Sequence, residues 1–114
     1  MDFNEWDKEL LELPGKIKDC GEAILSRFAL KQSFEETYER IKRRYDVDVA
    51  GDKTYTNDTL RKAEIASRIS NDLEMQKILV ILREVSSETD NLNLHQRFLR
   101  DRMSVLMVLC GKGE

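Results

Sequence analysis

The chain has 114 residues, a formal net charge of -3 and 36% charged residues, yet it contains only five Gly and one Pro. This combination favours long helices and excludes collagen-like, proline-rich and turn-rich all-β proteins. Because apolar residues remain frequent and the net charge is small, we expect the chain to fold as a single domain rather than to stay disordered.

A short amphipathic helix is predicted over residues 1–13, where apolar residues recur every three or four positions. These residues are Phe3, Trp6, Leu10 and Leu13. Pro14 follows directly, and a proline inside a helix costs about 3 kcal/mol. We therefore predict a break near Leu13 and a second helix over residues 14–45. That helix would end in three consecutive cations, which suit the negative end of a helix dipole.

A loop is predicted over residues 46–56, which combine Asp, Gly and β-forming residues. Asp46, Asp48 and Gly51 match three positions of a calcium-binding loop, but Asn57 stands where a bidentate Glu is required. We interpret the segment as an ordinary connection between helices. Thr56 or Asn57 is the predicted N-cap of the next helix.

A long helix is predicted over residues 57–110, which contain neither Pro nor Gly, and Gly111 is its predicted stop. Its second part carries residues at strictly alternating spacings of three and four, which form a heptad seam. The polar stretch 86–93 could hold a turn, but the heptad phase continues across it and favours an unbroken helix. The seam consists of Met75, Ile78, Leu82, Val85, Thr89, Leu92, Gln96, Leu99, Met103, Leu106 and Cys110.

These elements predict an all-α fold in which a long C-terminal helix packs against a shorter N-terminal helical arm, as a helical hairpin or bundle. A continuous helix of this length measures about 80 Å, whereas a 30-residue partner measures about 45 Å. Part of the seam is then left for another chain. We expect a homo-oligomer or a partner protein helix, bound through Leu92, Leu99, Met103 and Leu106. The alternative is a bend at residues 86–93, which gives a compact monomeric bundle.

The residue patterns predict no enzyme, metal site, cofactor or small-molecule substrate. The single histidine, His95, is far in sequence from Cys20 and Cys110, and no zinc-ligand spacing occurs. The chain also lacks a glycine-rich phosphate loop, a nucleophile elbow and a paired-histidine metalloprotease motif. We interpret both cysteines as packing residues rather than as nucleophiles paired with His95.

Two basic clusters are the remaining candidate chemical sites. One lies before Tyr45 and the other surrounds Phe98, so that each combines cations with a ring on which a base could stack. Single-stranded DNA is therefore an alternative partner, although these cations could also form solvated or ion-paired helix faces. The candidate contacts are Lys42, Arg43, Arg44, Arg97, Arg100 and Arg102.

The sequence also predicts the compartment. No stretch approaches the roughly 18 apolar residues of a membrane span. The acidic residues at the N-terminus lack the pattern of a secretory signal. Two distant cysteines without a paired motif are typical of reduced thiols, and we therefore expect a cytoplasmic protein that has no membrane partner.

The layout resembles that of small helical proteins encoded by bacteriophages and prophages of Gram-positive bacteria. The resemblance rests on a Trp-containing first helix that ends at Pro14, on a mid-chain loop leading into residues 56–58 and 62–64, and on residues 99–103 of the last helix. It implies an intracellular, non-enzymatic accessory role, in some cases beside replication and recombination functions. The leading hypothesis is a helical interaction or assembly protein, and the alternative is an accessory factor that binds single-stranded DNA.

Overall fold

The computed structural model describes residues 3–111, with side chains from Glu5 onward, and this part of the chain consists of three helices without strands. Helix α1 spans Phe3–Ala50, α2 spans Asp58–Asn71 and α3 spans Leu73–Leu109. The long helix α3 packs against α1 and α2, which confirms the all-α hairpin or bundle. The predicted positions of residues 1 and 2, and of the Phe3 side chain, lie outside the described residues.

Helix α1 runs through Pro14, where the sequence predicted a break between two helices. The proline ring is exposed, whereas the preceding Leu13 is buried together with Cys20. Burial of the apolar face on both sides of Pro14 offsets the lost backbone hydrogen bond. As a result α1 has 48 residues and is longer than α3, which has 37. The N-terminal arm is therefore not the shorter element.

Helix α1 also continues past Tyr45, the predicted last residue of the second helix, and ends at Ala50. Val49 is fully buried, so that packing holds the last turn in the helix. The amides of Gly51 and Asp52 donate to the carbonyls of Val47 and Val49 and close the helix end. Residues 46–50 are helical and do not adopt the conformation of a calcium-binding loop.

The predicted helix 57–110 is interrupted at one residue, Asp72, which separates α2 from α3. Its backbone angles, φ -88° and ψ 110°, are extended. The Asp72 amide donates to the Ile69 carbonyl, and its side chain accepts a hydrogen bond from the Met75 amide at 3.0 Å. A single residue thus closes one helix and caps the next, without Gly or Pro.

The other predicted features of this region are confirmed. Asn57 is the N-cap of α2, and its side chain accepts a hydrogen bond from the Leu60 amide at 2.9 Å. Helix α3 is unbroken across residues 86–93, so the chain does not turn there. Gly111 follows the end of α3 with φ 70°, a conformation that favours glycine.

The chain divides into two compact units, each with its own core. Unit 1 comprises the residues up to Phe28 and those from Ser87 onward, and unit 2 comprises Ala29–Ser86. The core of unit 1 is built on Leu13, Cys20, Leu99 and Leu106, with Trp6, Leu10, Ile17, Ile24, Leu92 and Met103 packed against it. The core of unit 2 is built on Ile41, Met75 and Ile78, with Phe34, Tyr38, Tyr45, Ile69 and Leu82 packed against it.

Helix α2 has no fully buried residue. Its half-buried side includes Arg61, Arg68 and Ile69, whereas Leu60 is exposed. Arg61 donates to the Tyr55 carbonyl of the preceding loop, and Arg68 pairs with Glu64 at 2.9 Å. Polar contacts with the loop and within the helix therefore supplement the few apolar contacts of α2.

Candidate interaction surfaces

The predicted association residues lie inside unit 1. Leu99 and Leu106 are buried, and Leu92 and Met103 pack against the same core, which includes residues of α1. Across the whole predicted seam, from Met75 to Cys110, no residue is exposed. The interpretation of these four residues as a surface for another chain therefore requires correction. It assumed a short arm, whereas α1 passes through Pro14 and supplies the partner side chains itself.

A different face of α3 in unit 1 is apolar and exposed. Leu94 is 59% exposed, Phe98 63%, Val105 50% and Val108 72%. Together with Asp101 these residues follow one another at spacings of four and three, so that they share one face of the helix. We call these five residues the outer stripe. The residues of the outer stripe have a heptad spacing of their own, and Phe98 of the stripe directly precedes Leu99 of the seam. This second heptad pattern is the sequence signal that could have identified the stripe.

The first basic cluster lies on α1 in unit 2. Arg43 and Arg44 are exposed, and Lys42 is half-buried. Arg43 and Arg44 line a shallow groove of about 330 Å³, together with Arg40, Val47 and Asp48. Three arginines therefore lie on neighbouring positions of one helix surface, where they could contact an anionic partner.

The second basic cluster lies on α3 in unit 1, and its three arginines differ in environment. Arg97 and Arg100 are exposed. Arg102 is half-buried and forms an ion pair with Glu9 of α1, in which its Nη2 lies 2.9 Å from Glu9 Oε2 and its Nε 3.2 Å from both carboxylate oxygens. This interaction links the two helices of unit 1, so the structure provides Arg102 with a role within the fold.

At the junction of α2 and α3, two ionisable groups in contact with each other have shifted pKa values. Tyr45 of α1 donates a hydrogen bond to the Asp72 carboxylate, and this bond raises the pKa of Tyr45 above its ordinary value. The same bond, followed by that from the Met75 amide, lowers the pKa of Asp72. Hydrogen bonds to a carboxylate favour its charged form. The arrangement joins α1 to the helix junction and is structural in character.

The Cys20 thiol and His95 lie in different surroundings. The Cys20 thiol is buried and donates to the Leu92 carbonyl at 3.2 Å. His95 is exposed on a groove of about 420 Å³ that Arg27 and Glu88 also line. These two groove residues pair with each other at 2.8 Å. Among the described residues, no group of three or more His, Cys, Asp or Glu is placed to hold a metal ion.

Comparisons of this chain with protein-family models, curated proteins and solved structures give no match. Across the described part of the chain, no helix combines the length and the apolar character that crossing a bilayer requires.

Proposed function

We propose that this protein is a non-catalytic helical interaction protein that assembles with a second chain through the outer stripe of α3. The observation that supports the proposal is the exposure of four large apolar side chains on one face of that helix. Large exposed apolar side chains grouped on one helix face are typical of surfaces that bind another protein. The seam of α3 is already covered by α1, so we assign association to the outer stripe instead of the seam.

The size of the patch favours a weak, reversible contact. The exposed parts of Leu94, Phe98, Val105 and Val108 amount to about 400 Å², which is comparable with the largest apolar patch on a typical monomer. A second copy covering this patch would bury roughly twice that area, which is the size range of transient complexes. In this proposal, the partner is a second copy of this chain. An accessory role in a phage or prophage is part of the proposal, in line with the resemblance of the sequence.

The test is the molar mass of the protein in solution. Light scattering and sedimentation equilibrium over a range of concentrations should show wild-type species heavier than the 13.3 kDa chain. The double substitution Phe98→Ser and Val105→Ser should weaken association by about tenfold or more, because it removes the central apolar contacts from both copies.

The matched control replaces two exposed apolar residues elsewhere, Leu11→Ser and Leu60→Ser. It should leave the association constant unchanged. Circular dichroism should show equal helicity in all three proteins. Wild-type association that persists undiminished in the Phe98→Ser, Val105→Ser protein would contradict the proposal.

Binding of single-stranded DNA is the second candidate function, and the exposed arginines favour it. Arg43, Arg44, Arg97 and Arg100 are exposed, whereas Arg102 is engaged with Glu9. Phosphate contacts release counterions, so the affinity should fall steeply with salt. Fluorescence anisotropy with a labelled oligonucleotide, at low and moderate salt, tests this candidate. Absence of binding at low salt would exclude direct contact with DNA.

A further inference from the structure

In unit 2, the sequence of α1 contains two consecutive charge blocks of opposite sign. Residues 32–39 contain three acids and no base, and residues 40–47 contain four bases and one acid. The net charges of the two eight-residue halves are therefore equal in size and opposite in sign. The boundary between the halves lies between Glu39 and Arg40.

The central residues of this face are exposed. Glu36 and Arg43 both point away from the core of unit 2, and neither lies in an ion pair among the described side chains. Beyond them, at equal distances from the boundary, lie Gln32 and Val47, and then Ala29 and Ala50. All of these residues are exposed. We call this set of six residues the charged face of α1.

We propose that the charged face of α1 pairs with the same face of a second copy, with the two helices antiparallel. A two-fold axis at the boundary between the blocks would place the acidic half of each copy against the basic half of the other. Glu36 of one copy would then face Arg43 of its partner, and the reverse contact would form as well. Such reciprocity is the defining property of a symmetric dimer interface.

The pattern favours a second copy over other partners. A nucleic acid would meet the acidic half as well as the basic half of the face, and like charges repel. An unrelated helix would need a matching reversal of charge at the same spacing, whereas a second copy necessarily has it. The small side chains Ala29 and Ala50 would face each other at the two ends, where they allow close approach of the helices. The paired segment of 22 residues would extend over about 33 Å.

The charged face of α1 is separate from the outer stripe of α3. The test therefore starts from the Phe98→Ser, Val105→Ser protein, in which association through the outer stripe should be weakened. In that chain, Glu36→Arg alone should weaken dimerisation by about tenfold or more, because two attractive contacts become repulsive. Arg43→Glu alone should have the same effect. The control substitutions Glu84→Arg and Arg83→Glu make the same changes of charge at exposed positions of α3 and should have little effect.

Two further experiments bring opposite charges face to face again and test the pairing directly. The chain that carries both Glu36→Arg and Arg43→Glu should dimerise like its parent, because each new Arg faces a new Glu. An equimolar mixture of the two single variants should form a heterodimer, detectable by sedimentation velocity with one chain labelled. Raising the salt from about 0.05 M to 1 M should dissociate these dimers, since it shortens the Debye length to about 3 Å.

Monomeric behaviour of the double variant and of the mixture would overturn the pairing. Oligonucleotide binding that is lost in Arg43→Glu and not restored by adding Glu36→Arg would also overturn it, and would assign the face to phosphate. Failure of the charged-face pairing is distinguishable from failure of the proposed function. If only the outer stripe associates, the Phe98→Ser, Val105→Ser chain is already a monomer while the wild type is not.

Discussion

Asp72 shows how one side chain can end a helix and begin the next. Its amide closes α2, its carboxylate caps α3, and Tyr45 of α1 donates to the same carboxylate. The Gln76 side chain also donates to the Ile69 carbonyl, at 3.0 Å across the break. The helix interruption is therefore hydrogen-bonded from both sides, and a tertiary contact with α1 holds it in place.

The Tyr45–Asp72 hydrogen bond leads to a pH-dependent prediction. Tyr45→Phe should destabilise the protein at neutral pH, because it removes the donor. Since the pKa of Asp72 is lowered from 3.8, its contribution is present above that value and is lost as the pH falls below it. Since the pKa of Tyr45 is raised from 10.0, its contribution is present below that value and is lost at higher pH.

Urea unfolding of the wild type and of Tyr45→Phe at pH 3, 7 and 11 measures this dependence. The difference in unfolding free energy should be largest at pH 7 and smaller at both extremes. A difference that stays constant over this range would show that the hydrogen bond does not stabilise the fold.

At the scale of the element, helix α1 illustrates how packing overrides local preference. Pro14 and Gly15 together would normally end a helix. The buried residues on either side of them, Leu13 and Cys20, belong to one core cluster with residues of α3. If the helix ended at Pro14, the burial of this apolar face would be lost. The continuous helix is therefore the more stable arrangement.

Two glycines inside α1 should respond differently to alanine. A β-carbon at Gly15 would have no neighbour within 4 Å, so Gly15→Ala should stabilise the protein by about 0.5–1 kcal/mol. A β-carbon at Gly21 would lie 3.1 Å from Nε2 of Gln96, which donates to the Ile17 carbonyl at 3.3 Å. Gly21→Ala should therefore stabilise less than Gly15→Ala or should destabilise. Thermal and urea unfolding of both variants measure the difference, and equal gains would contradict the close contact at Gly21.

At the scale of the whole molecule, stability comes from the two separate cores of units 1 and 2. Leu106 is completely buried in the first and Met75 in the second. The ion pairs of the described chain lie on or near the surface, such as Arg27–Glu88. Exposed ion pairs typically contribute less than about 1 kcal/mol each, so apolar burial dominates.

Truncation of one core residue tests this view. Leu106→Ala should destabilise the protein by about 2–5 kcal/mol, because a fully buried side chain leaves a cavity. The control Leu11→Ala removes the same atoms at a site that is 81% exposed and should change stability by less than about 0.5 kcal/mol. Urea unfolding at pH 7 compares the two variants, and similar losses would show that Leu106 is not packed as described.

The sequence alone predicted several features that depend on local chemistry or on helical period. The all-α class, the inward-facing seam from Met75 to Cys110, the N-cap at Asn57 and the stop at Gly111 all follow from spacing, side-chain oxygens and backbone freedom. These signals lie within a few residues of the structure that they specify, so no knowledge of distant contacts is needed.

Tertiary structure alone decided how the chain behaves at Pro14 and Asp72, and which surfaces remain exposed. Pro14 stays helical because residues on both sides of it belong to a core shared with α3, and Asp72 interrupts the helix where Tyr45 of α1 donates to its carboxylate. The residues predicted to bind another chain, such as Leu99, are covered instead by α1, and Arg102 is engaged by Glu9. An apolar or charged residue has the same local pattern whether its partner lies in its own chain or in another. Only the positions of the packed helices determine whether that partner lies in the same chain or in another one.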